Sequence, residues 1–305
     1  MRAKGPADFI TKPQRLTLES FKSRMLLGLQ KIPYDPEIDV EQALTDYWHC
    51  SLRGFKHSLV IYKKACYLLF HSQNALHQIT TSTWDYEMIK SSLLWASILH
   101  ELGDFFHLTQ IEYGHWGIVL AENAFKTEAE NEQLEPLMAM LYPYIYNASI
   151  TNHPILCGDF RLDPMADIFR LSHKIALSGA EQVRRLYAIH QSKNIPFFDR
   201  NINLKRRFAF DYDFSGLDTC SYCLYLFLLS PGDFFYPETI SAYRHWETAK
   251  GKNSGKLGAW RMLKSIATED EIITDRDWQD IEEIYLEFIR YFELDKSAEK
   301  WFKDY

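Results

Sequence analysis

Three stretches of this chain carry residue types that together could hold a divalent metal and activate water. His57 stands near the start of Phe55-Lys-His57-Ser-Leu-Val-Ile. His100 and Glu101 close the apolar run Leu93-Leu-Trp-Ala-Ser-Ile-Leu-His100-Glu101-Leu-Gly103-Asp104. Asp167 lies in Pro164-Met-Ala-Asp167-Ile-Phe-Arg. Imidazole and carboxylate donors in one set suit divalent transition metals: Mn, Fe, Ni, Co or Zn. Such an ion acidifies bound water and offsets charge on a phosphoryl group. Successive helical residues point about 100° apart. His100 and Glu101 can therefore share one ion only near a helix end or with a bent approach, and the apolar run here finishes on His, acid, Leu, Gly. Two further histidines, His115 in Tyr113-Gly-His115-Trp-Gly and His153 in Thr151-Asn-His153-Pro, lie between the pair and Asp167. His49, His71, His77, His107, His173, His190 and His245 read as ordinary surface or core histidines.

Positioning these groups falls to helices. Phe21, Met25, Leu26 and Leu29 recur at helical spacing from Thr17 onward, and Pro33 and Pro36 end that segment. Apolar periodicity predicts further helices over residues 55–70, 85–106, 113–127 and 131–146. Residues 147–163 read as a loop. Pro164 then suits the first turn of a helix over Met165 to Leu177, closed by Gly179. Few segments alternate with period two, and Val, Ile and Thr form no strand-like runs. The fold class is therefore all-α. Residues 1–40 are expected to form an N-terminal arm and helix, 41–195 a metal-binding helical domain, and 196–305 a smaller helical C-terminal part. The boundary region is 193–217. The C-terminal part holds loops at Ser230-Pro231-Gly232 and at residues 250–255, then an acidic helix over about 276–293.

The order of these motifs resembles the HD-domain phosphohydrolase superfamily. That family has a His on an early helix, a His-Asp pair ending a later apolar helix, and an Asp on a still later helix. The run Ser97-Ile-Leu-His100-Glu101-Leu-Gly103 is similar to its central motif, and Met165-Ala-Asp167-Ile-Phe to its last one. The resemblance covers roughly residues 50–180. It implies an HD-like helical bundle and a metal set of His57, His100, Glu101 and Asp167. In two-metal members extra histidines in the interval bind a second ion, a role that would fall to His115 and His153. Glu101 stands where the family has Asp, and its carboxylate is displaced by one methylene. Either the metal shifts, Asp104 assists Glu101 in catalysis, or the site is weak or inactive. The stretch Tyr47-Trp-His49-Cys-Ser-Leu-Arg-Gly54-Phe-Lys-His57-Ser-Leu also resembles the approach to the first metal His in relaxase-type HD domains of conjugative elements.

Composition narrows the functional classes. Of 305 residues 47% are hydrophobic, enough for a sizeable core. The formal net charge of −7 does not favour a nucleic-acid binder, although basic residues gather at 2–24 and 200–207. Five cysteines do not suggest a disulfide framework. Cys220 and Cys223 have no second pair to complete a zinc site and sit in an apolar helical run. Residues 1–15 lack the apolar core of a secretory leader, and no apolar run approaches a membrane span, so a cytoplasmic location is expected. Walker-type, dinucleotide and Gly-x-Ser-x-Gly motifs are absent. The partners expected are a phosphate-containing small molecule or nucleic acid, with no membrane; a homo-oligomer is left open. The leading reading is a phosphohydrolase using one or two metal ions. Its alternatives are a DNA-processing relaxase-like protein and an inactive HD-type interaction module.

Overall fold

The computed structural model describes residues 16–30, 32, 37–50, 54–80, 84–102, 106, 115–125, 131–147, 162–176, 179–202, 217–228, 238–239, 241–242, 255–269 and 273–291. Among these residues there are twelve α-helices and no strand, as an all-α fold requires. They are α1 (Leu18–Leu29), α2 (Val40–His49), α3 (Phe55–His71), α4 (Gln73–Thr80), α5 (Tyr86–Leu102), α6 (His115–Ala124), α7 (Asn131–Asn147), α8 (Asp163–Ala176), α9 (Ala180–Ser192), α10 (Thr219–Leu228), α11 (Gly255–Glu269) and α12 (Asp275–Tyr291). Residues 1–15 of the expected arm, 148–161 of the expected loop and the turns at 230–232 and 250–254 lie outside the described residues, while Asn147, Asp163 and Gly255, expected in loops, are helical. None of the described helices is long and apolar enough to cross a membrane.

The chain divides into two compact units. Unit 1 comprises Met1–His173 and Gly232–Tyr243; unit 2 comprises Lys174–Pro231 and Arg244–Tyr305. In unit 1, α5 is the central element. Its residues from Ser92 to Leu102 are all buried, because a helix apolar on every side finds partners on every side. It packs against α3, α6 and α7, while α1 packs on α2 and α6. Thr17 starts α1 with a capping box to Ser20, and Asp39 caps α2 by accepting from the Gln42 N–H at 3.0 Å. Such caps satisfy backbone donors that the first helical turn leaves over. The buried stripe Phe21, Met25 and Leu29 then faces inward. A hydroxyl–hydroxyl hydrogen bond between Ser72 and Thr239 joins the short segment 238–239 to the end of α3.

In unit 2, α9 packs on α10 and α11, and α10 on α11 and α12. Asp218 caps α10 from a fully buried position, accepting from the N–H groups of Ser221 at 2.7 Å and Asp199 at 2.8 Å. Trp260 of α11 meets Trp278 and Tyr285 of α12 at ring distances of 5.0 and 4.4 Å. Cys220 and Cys223 are both buried on α10, and burial pushes the Cys223 thiol far up. A thiol so held is a core group rather than a nucleophile. The helix at 165–177 begins two residues earlier than expected and ends at Ala176. Gly179 does not close it: with φ 109° it stands before α9 as its N-cap residue, a backbone setting that glycine adopts without penalty.

Candidate metal centre

Three helices of unit 1 bring four potential ligands together. His57 comes from the first turn of α3, His100 and Glu101 from the last turn of α5, and His173 from α8. One ligand atom from each lies within 4.8 Å of one from every other. This buried group could hold a metal ion. The residues are 5%, 3%, 9% and 5% exposed respectively.

The first turn of α3 is fixed by Gly54. A Cβ there would lie 1.9 Å from the Tyr47 carbonyl oxygen and 2.8 Å from that of Cys50. Only glycine lets the end of α2 approach the start of α3 this closely. The Gly54 carbonyl then accepts from the N–H groups of His57 at 3.0 Å and Ser58 at 3.2 Å, placing His57 on the buried face. Gly54→Ala should therefore displace His57 and cost at least about 2 kcal/mol of stability, as overpacking against unyielding backbone does. Urea denaturation of the variant beside the wild type checks this, and an unchanged midpoint would remove Gly54 from the account.

At the other side, α5 delivers two adjacent ligands because it ends there. His100 Nδ1 lies 2.8 Å from the Ser97 carbonyl oxygen. A carbonyl only accepts, so Nδ1 carries the proton and Nε2 keeps its lone pair for a metal. The Phe169 ring stands edge-on to His100 at 6.0 Å and 85° and restrains its plane. Glu101 Oε1 lies 3.6 Å from His57 Nε2 and 3.7 Å from His100 Nε2. Both separations exceed hydrogen-bond length. They suit ligands of a common ion, since bonds of about 2.1 Å in tetrahedral array set ligand atoms about 3.4 Å apart. The His173 ring meets His100 at 5.2 Å and 80° and His57 at 6.4 Å and 76°. These rings are edge-on rather than stacked, so their nitrogens can converge. Close approach of a further helix supports the end of α5: a Cβ on Gly117 of α6 would lie 2.6 Å from the Leu99 carbonyl oxygen.

Of the ligands expected from sequence, His57, His100 and Glu101 are in this group. Asp167 is not. Its Oδ1 accepts from Arg170 Nε at 3.1 Å and Nη2 at 2.7 Å, an i,i+3 pair on α8 that is almost wholly buried. His173, expected to be an ordinary histidine, completes the set instead. Residues 162–173 are all buried, Asp163, Asp167 and Arg170 among them, so the apolar pattern of α8 does not by itself single out His173. His115 begins α6, but its side chain, like all of His153 and Asp104, lies outside the described residues.

Comparison of the chain with family models, with curated proteins and with solved structures finds no match.

Proposed function

We propose that the chain is a metal-dependent phosphohydrolase in which His57, His100, Glu101 and His173 hold one divalent transition-metal ion. The observation that carries this reading is the meeting of three imidazoles and one carboxylate from three separate helices within 4.8 Å. A nitrogen-rich set with a single carboxylate suits Mn, Fe, Co, Ni or Zn, whereas Mg and Ca prefer oxygen ligands. The ion would supply an acidified water and charge stabilisation at phosphorus. The likeness of Ser97-Ile-Leu-His100-Glu101-Leu-Gly103 to the central HD-domain motif supports a nucleotide or other phosphate ester as substrate. A net charge of −7 favours a small ester over a nucleic acid. His115 and His153 are the ligands for a second ion in a two-metal form of this reading.

Burial favours a second reading. Four protein ligands complete a tetrahedron, and a site closed in that way is structural. The chain would then be a non-catalytic helical module stabilised by its metal. One experiment separates the two. Protein purified after Mn, Fe, Ni, Co or Zn supplementation is analysed for metal, then assayed on bis-p-nitrophenyl phosphate and nucleoside triphosphates. The hydrolase reading expects about one equivalent of metal per chain and turnover that His100→Ala abolishes. Bound metal without turnover on any substrate would favour the structural ion. Salt-sensitive binding of single-stranded DNA would shift the substrate toward nucleic acid. Absence of metal under every supplement would overturn both readings.

A further inference from the structure

We propose that Tyr47 is a positioning residue for the metal centre, its hydroxyl tying α3 to α5 at the spacing the ligands need. The inference rests on the metal reading above. Tyr47 lies on α2, contributes no ligand, and is fully buried. Its hydroxyl is 2.7 Å from Ser58 Oγ and donates to the Ile98 carbonyl oxygen at 3.2 Å. A phenol has one proton. With that proton directed to Ile98, the Ser58 hydroxyl must donate to Tyr47. The two bonds thus form a directed chain from α3 through Tyr47 to α5.

The residues at the two ends of this chain matter. Ser58 follows His57 directly, and Ile98 precedes His100 and Glu101 by two and three positions. One side-chain oxygen therefore fixes the separation of the helix start carrying one ligand from the helix end carrying two. The Tyr47 ring is itself held by stacking on Phe21 of α1 at 5.6 Å and 25°, and its backbone by the close approach of Gly54. Burial pushes the phenol far above its ordinary range, the Ser58 hydrogen bond opposes this, and the Glu101 carboxylate adds to it. The hydroxyl accordingly stays protonated and keeps its donor role. Groups that orient metal ligands without touching the ion tune affinity through ligand separation.

The test is Tyr47→Phe, which keeps the ring and its stacking and deletes only the oxygen. Co(II) is titrated into metal-free wild type and variant, following the visible d–d bands, and thermal unfolding of the metal-free proteins is measured alongside. Positioning predicts Co(II) affinity weakened about 10–100-fold, the range for outer-shell changes, with altered band positions. Ser58→Ala should weaken binding less, and Tyr47→Phe/Ser58→Ala should bind no more weakly than Tyr47→Phe, because Ser58 acts through the same oxygen. Wild-type affinity and bands in Tyr47→Phe, with only a lowered unfolding temperature, would reduce Tyr47 to a core residue and overturn the proposal. Should Tyr47→Phe fail to fold, Ser58→Ala decides: unchanged affinity and bands sink the idea, weakened affinity with shifted bands sustains it. A wild type that binds no Co(II) would remove the metal reading and this inference together, an outcome distinct from a normal wild type with an indifferent variant.

Discussion

His173→Ala is expected to abolish stoichiometric metal binding while His49→Ala and His77→Ala, both at exposed positions, leave it untouched. The loss should exceed the roughly 10–100-fold typical of outer-shell changes, because a ligand itself is removed. The effect extends to stability. Metal bound only by the folded state adds about 4 kcal/mol when free metal stands a thousandfold above Kd. Wild type stripped by a chelator should therefore unfold at markedly lower urea than the loaded protein. In His173→Ala the chelator should make no difference. Removing a buried imidazole also leaves a cavity, so the variant starts from a lower baseline; the comparison that counts is loaded against stripped within each protein. Full metal occupancy in folded His173→Ala, judged by near-ultraviolet circular dichroism and elemental analysis, would remove α8 from the metal centre.

His173 marks where the sequence stops being legible. The all-α class followed from periodicity, and the helices over 55–71, 86–102 and 131–147 were predicted to within a few residues. His57, His100 and Glu101 were legible because each is marked locally: one at a helix start after a glycine, two at the end of an apolar run. The choice along α8 had no such mark. Asp167 and His173 are six residues apart, about 9 Å along a helix axis. Only one of them can be level with ligands from two other helices, and that level depends on how deep α8 docks. Docking depth is a tertiary quantity that hydropathy does not encode. Tyr47 was unreadable for a related reason. Its importance comes from two bonds to residues 11 and 51 positions away, which no window of sequence contains. Helices α2, α4, α9 and α11 also escaped the periodicity reading. α2 and α4 are only 10 and 8 residues long, where a stripe of two turns hardly differs from chance.

Asp167→Asn gives the sharpest separation between the ligand set expected from sequence and the four-residue group that could hold a metal in the folded chain. Asp167 and Arg170 are 2% and 1% exposed, and Arg170 Nε and Nη2 both donate to Asp167 Oδ1. Neutralising the acid leaves a guanidinium charge in the interior. Breaking a buried pair from one side costs about 3–5 kcal/mol, a large share of the stability of an ordinary domain. Urea unfolding should register that loss in full. Metal binding should behave differently. With His57, His100, Glu101 and His173 all present, Co(II) affinity in the still-folded variant is expected within a few-fold of wild type. Were Asp167 a ligand, Co(II) binding would be lost along with that stability. The double change Asp167→Leu/Arg170→Met tests the cause of the instability. It removes both charges at similar volume, and replacing a buried pair by apolar groups is often neutral or better. Recovery of most of the lost stability, with Co(II) affinity retained, would identify the pair as a charge-compensated piece of the α8 core. Failure to recover would mean that interactions of Asp167 or Arg170 beyond this pair carry the stability.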